Sequence, residues 1–248
     1  MFTSRAELEQ YFGVDPAIAK AFVDRTVPPD NAYWRGRLLY IGRGNGFLFL
    51  PLSFDLMQKA GVNQNDLLQE SLLTAIEKIL DLAARYEYGE MSFAEHIAAI
   101  ELFIEPISVQ PALFGRLRRF FRQSLLLPKD GIGDDNPPLN RADALLYAYC
   151  LLPVSEEVIN RLLRYWYALL PAFLLQDDLV DFQDDLAKKE ENAVQFYGKG
   201  KEGVRNSIDD LRRRFAIVGE LNPLMSKTLD ASLDRYLTRP DFQYLLNH

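Results

Sequence analysis

Residues 155–191 constrain the fold more than any other part of the chain. Ser155 is a helix N-cap, and helical periodicity runs from it through Leu169-Leu170-Pro171-Ala172-Phe173-Leu174-Leu175 to about Glu191. A helix this long and this apolar in its middle needs other helices packed around it. Pro171 removes one backbone hydrogen bond inside it, which predicts a kink about two turns before the polar end. That polar end is Gln176-Asp177-Asp178-Leu179-Val180-Asp181, followed by Asp184 and Asp185. Spacings of three and four share a helix face, so Asp177, Asp181 and Asp184 form one strip and Asp178, Asp181 and Asp185 another. From Asp177 to Glu191 seven acids face two bases, a local charge of −5. Stacked carboxylates repel unless a cation sits among them, and Mg²⁺ prefers oxygen ligands.

The remaining pattern is also helical. Ser4-Arg5-Ala6-Glu7 and Ser92-Phe93-Ala94-Glu95 are capping boxes, and Asp15-Pro16 supplies an N-cap and a first-turn proline. The first box opens a helix ending near Gly13, the proline one reaching about Arg25, and the second box one that Pro106 stops. From Asn65 a buried stripe through Leu72, Ile76, Ile79 and Ala83 predicts a helix to about Tyr88. Further helices are expected over Pro111–Leu126, Asp143–Leu152, Val204–Val218 and Pro223–Tyr236. Two apolar runs around Gly42-Arg43-Gly44-Asn45-Gly46 read as a β-hairpin over 37–50. Residues 128–141, rich in Pro, Gly and Asp, read as a flexible loop or lid. The expectation is an all-α bundle forming a single domain over residues 1–248, with one small hairpin.

Bulk properties narrow the function. A formal charge of −7 argues against a general nucleic-acid binder. One cysteine, Cys150, excludes an internal disulfide, and two histidines, His96 and His248, exclude a multi-histidine metal site. His96 and Cys150 read as structural, and Tyr165, Trp166 and Tyr167 as core. Neither a secretory signal nor a membrane span is evident, which makes the cytoplasm the expected compartment. A solvated helix end accounts for Asp184 and Asp185 through (i, i+4) pairs with Lys188 and Lys189. It accounts less well for Asp177, Asp178 and Asp181, which have no base within one turn.

The stretch Phe173 to Asp181 resembles the second aspartate-rich motif of the trans-isoprenyl diphosphate synthases, members of the class I terpenoid-synthase fold. Ala142-Asp143-Ala144 stands where that family carries Lys-Thr-Ala, and Leu233-Asp234-Arg235-Tyr236 is similar to its last helix. The resemblance covers about residues 140–240. It implies a helical bundle with Asp177, Asp178 and Asp181 as Mg²⁺ ligands, holding a prenyl diphosphate oriented by Gln176. Lys188 or Lys189, together with Arg116, Arg118 or Arg119, would contact phosphate oxygens. If active, such a chain is a Mg²⁺-dependent prenyltransferase or a terpene-synthase-like diphosphate lyase, as a homo- or hetero-dimer. The family's first motif is missing: the helix near residues 75–90 offers Glu77 and Asp81 but no aspartate pair. Two other readings follow from that gap. One is a catalytically silent relative acting as a partner subunit or ligand-binding module. The other is an unrelated helical interaction protein.

Overall fold

The computed structural model describes residues 3–26, 48–123 and 127–239, with Pro29, Asn31, Tyr33 and Phe242. These form ten α-helices: α1 (Arg5–Phe12), α2 (Pro16–Asp24), α3 (Phe49–Lys59), α4 (Gln64–Leu67), α5 (Glu70–Glu87), α6 (Phe93–Ile104), α7 (Pro111–Phe121), α8 (Glu156–Lys188), α9 (Gly200–Gly219) and α10 (Pro223–Leu237). Short 3₁₀ turns span Glu105–Ile107, Pro137–Asn140, Asp143–Leu151 and Ala193–Tyr197. Among the described residues there is no strand, only an isolated bridge between Lys129 and Ile132. The all-α expectation holds.

The helix ends follow the local chemistry. Both capping boxes form: Ser4 and Ser92 accept from the backbone N–H of Glu7 and Glu95, whose carboxylates return to the cap. Asp15 caps α2 and Ser155 caps α8. Gly13, at φ 63, closes α1 in the left-handed region that glycine reaches without penalty. At the far end of α8, Lys189 takes that conformation instead, at φ 61.

The 33-residue α8 is the axis of the molecule. It packs against α3 on one side and α9 on another, and α9 in turn packs on α10. The α5–α6 pair joins the 3₁₀ run Asp143–Leu151, and α1 links α2 to α10. A continuous apolar cluster from Leu8 to Phe242 fills the space between them, with Leu52, Phe54, Phe120, Tyr147, Leu175 and Phe215 fully buried.

Two expectations change. Phe49 and Leu50, placed at the end of a hairpin, begin α3 instead, and residues 37–47 lie outside the described residues. Helix α3 is buried over nearly its whole length, Phe49 to Met57, so it lacks the polar face that marks an amphipathic helix in sequence. The long helix expected from Asn65 divides into α4 and α5 at Leu68-Gln69. The segment 128–141 has little regular structure and makes hydrogen bonds to neighbouring elements. Arg116 Nε donates to the Asp130 carbonyl at 2.7 Å, Gly133 N to Tyr167 Oη at 2.7 Å and Asn136 Nδ2 to the Ala193 carbonyl at 3.0 Å. Gly133 has φ +101, and a Cβ there would come within 2.8 Å of the Phe120 ring. Residues 124–126, in the expected extension of α7, and His248 lie outside the described residues.

Candidate functional site

Helix geometry places the three aspartates in two different environments. Asp177 and Asp181 point to solvent, whereas Asp178 is only 6% exposed. One turn of helix therefore separates two solvated carboxylates from a buried one, as the 3.6-residue period requires.

Asp178 is fully engaged. Arg141 grips it with both arms of the guanidinium, Nη2 to Oδ1 at 2.7 Å and Nη1 to Oδ2 at 3.2 Å. The backbone N–H of Ala193 also donates to Oδ2, at 2.7 Å. Its main-chain carbonyl accepts from Asn192 Nδ2 at 2.7 Å, and the same amide reaches Asp185 Oδ2 at 2.8 Å. Arg141 additionally donates to the Pro138 and Leu174 carbonyls at 3.3 and 3.4 Å. The result is a joint between the 137–141 turn, the end of α8 and the 192–194 turn. Bidentate, charge-assisted pairs of this kind fix geometry more strongly than neutral hydrogen bonds do.

Around the joint the field is crowded. Partial burial holds the Asp177 carboxyl above the ordinary carboxylate range; Asp181, Asp178 and Asp185 add to the rise, and the Arg141 charge opposes it. Glu87, at the end of α5, is likewise raised by burial and pulled back by Arg141. Arg141 is thus the shared counter-charge for carboxylates from two helices.

The other expected participants lie elsewhere or are already paired. Gln176 is half-buried next to the joint, and Lys188 and Lys189 are solvent-exposed at the end of α8. Arg116 Nη1 bonds Asn160 Oδ1 at 3.2 Å. Asn160 stands eighteen residues before Asp178, so along α8 it is about 27 Å away. Arg119 pairs with Asp130 at 2.8 Å, and Arg118 with Glu101 and Glu105 at 3.1 and 2.8 Å. On α5, Glu77 is held by Arg25 at 2.5 Å and Asp81 by Arg85 at 2.9 Å. Among the described residues, no three His, Cys, Asp or Glu side chains converge to hold a metal ion. In this arrangement both Asp178 oxygens accept hydrogen bonds, Oδ1 from Arg141 and Oδ2 from Arg141 and Ala193.

A second polar cluster lies at the middle of α8 and is the more deeply buried one. Asp143, with no exposed surface, accepts from Trp166 Nε1 at 2.8 Å and from Tyr167 Oη at 2.9 Å. Burial pushes its pKa up to about 7, against the pull of those two donors; nearby Asp134 adds to the rise. Pro171 has no N–H to give the Tyr167 carbonyl, and Arg214 of α9 supplies the missing donor. Arg214 also pairs with Asp134 at 2.7 Å and Asp210 at 2.6 Å, and Tyr197 Oη donates to Asp210 at 2.6 Å. Trp166 and Tyr165 are core residues, as expected from the sequence.

His96 is buried, stacks on Tyr86 with ring centroids 5.7 Å apart, and is held below its ordinary pKa by burial. Burial pushes the Cys150 thiol up to about 12, so it is not a thiolate near neutrality. An open groove of about 630 Å³ lies between α1 and α10, and none of its lining residues belongs to α8. No family model matches the chain, and no curated protein or solved structure matches it either. No helix of the described residues is long and apolar enough to cross a membrane.

Sequence reasoning missed Arg141, Glu87 and Asn192. All three lie at element ends or in turns, where no periodicity marks them. The only available signal was the proximity of Arg141 to Asp143, in the segment preceding the apolar 3₁₀ run.

Proposed function

We propose that this chain is a catalytically silent helical module, working as a partner subunit or ligand-binding module in the mould of the isoprenyl diphosphate synthases. The observation that carries the reading is the Arg141–Asp178 clamp. Of Asp177, Asp178 and Asp181, the carboxylate best sheltered from water is Asp178, and it is already neutralised by an internal guanidinium. The acids on α5 that would have to oppose it, Glu77 and Asp81, are themselves held by arginines. A metal would have to displace Arg141 from Asp178 and break both of its hydrogen bonds to that carboxylate.

The test is a thermal melt of the full chain with Mg²⁺ and inorganic pyrophosphate, each alone and together. Binding to the folded state raises the midpoint by mass action. The expected outcome is no rise beyond that produced by Ca²⁺ or by salt at equal ionic strength. A Mg²⁺-specific rise that disappears in Asp177→Asn, or release of pyrophosphate from an allylic diphosphate, would instead establish the active-transferase reading.

A further inference from the structure

We propose that the groove between α1 and α10 binds a single-chain amphipathic anion, with its tail along the groove floor and its head on Lys227 or Arg235. The inference is independent of the role given to the aspartates, since no groove residue comes from α8.

Chemistry and shape both point this way. The volume of about 630 Å³ suits a small ligand rather than a solvent channel. Tyr11, Phe12, Leu48, Leu224 and Ala231 supply apolar surface. Tyr11 is 58% and Leu224 42% exposed, large side chains that gain from being covered. Lys227 and Arg235 lie on the same helix at a separation of eight residues, about 12 Å along the axis. No described residue forms an ion pair with either, whereas Arg212 is bonded to Asp230 and Asp234 of α10. The acid in the groove, Glu7, has one carboxylate oxygen engaged by Ser4 in the α1 capping box. Two cations with no ion-pair partner among the described residues, beside an apolar trough, select a negative head with a hydrocarbon tail, because either part alone uses only half of the surface.

The groove is also held in shape. Asn222, the N-cap of α10, donates from Nδ2 to the Phe12 carbonyl at 2.9 Å and to Asp55 Oδ2 at 2.7 Å. Thr228 donates to the Tyr11 carbonyl. These bonds fix the two helices that form the walls, so a ligand bears little of the cost of ordering them.

The experiment is calorimetric titration of the full chain with dodecanoate, dodecyl phosphate, dodecyltrimethylammonium and acetate, all below their micellar concentrations. Saturable one-to-one binding of dodecanoate or dodecyl phosphate is expected, with at least tenfold weaker binding of the ammonium and none of acetate. Tighter dodecanoate identifies a carboxylate ligand, tighter dodecyl phosphate a phosphate ester, and both uphold the amphipathic anion. The double variant K227E/R235E should lose at least tenfold in affinity. Ala231→Phe, which fills the trough, should abolish binding. All three positions are exposed, so melting of the unliganded variants should match that of the wild type. No saturable binding of either anion, equal binding of the ammonium, or unchanged affinity in K227E/R235E would each overturn the proposal.

Discussion

The two polar regions of α8 contrast sharply. At its end, acids outnumber bases in the sequence, yet two of the three central carboxylates are in water and the third is neutralised by Arg141. At its middle, the sequence is apolar and aromatic around a proline, yet it abuts a buried network of Asp143, Tyr167, Arg214, Asp134 and Asp210. The density of charge along a chain says little about where electrostatic energy is concentrated. Burial decides that, because a charge removed from water must be matched by a specific partner.

The contrast can be tested from its strongest point downward. Arg214→Ala would leave Asp134 without its guanidinium partner, leave Asp210 with Arg213 alone and return the Tyr167 carbonyl to its unpaired state. A loss of about 3–5 kcal/mol is expected in urea denaturation, the range for breaking one partner of a buried ion pair. A loss below about 1 kcal/mol would remove the middle network from the account of stability.

Asp143 gives the pH arm. Its folded pKa of about 7 lies above the ordinary 3.8, so the native state holds a proton that the unfolded chain releases. The stabilisation is full below about pH 4 and is lost as pH rises towards 7, by up to about 4 kcal/mol at 1.36 kcal/mol per pKa unit. Asp143→Asn should flatten that part of the stability–pH curve relative to the wild type, read as the urea midpoint between pH 4 and 8. Parallel curves for the two proteins would show that Asp143 titrates normally.

The end of the helix should respond more weakly. Asp178→Ala strands the Ala193 N–H and the half-exposed Arg141, costing about 2 kcal/mol, with or without Mg²⁺. Asp177→Asn, one residue away, should change stability by less than about 0.5 kcal/mol, since it removes a solvated charge from a repulsive strip. The comparison breaks if these two variants behave alike in parallel melts.

Much of the fold was legible from local signals. The Ser4 and Ser92 boxes, the Asp15-Pro16 start and the Ser155 cap each form where the residue pattern puts them, because capping satisfies N–H groups within one turn. Helix α3 was missed because burial on all sides erased its periodicity. At the candidate site, the exposure of Asp177 and Asp181 beside a buried Asp178 follows helix geometry, but the partner of Asp178 does not. Arg141 is thirty-seven residues away in a segment that reads as a loop. The same holds for the groove: Tyr11 and Thr228 are separated by most of the chain.

Sequence alone determined that the chain is helical, where most helices start and stop, and that one long helix carries an acidic end. Those properties depend on hydrogen bonds and side-chain spacing within a few residues. Tertiary structure alone decided which charges are buried, which guanidinium meets which carboxylate, and where a trough opens between α1 and α10. Coulomb energy and desolvation depend on distance and exposure in space, and neither is a function of position along the chain.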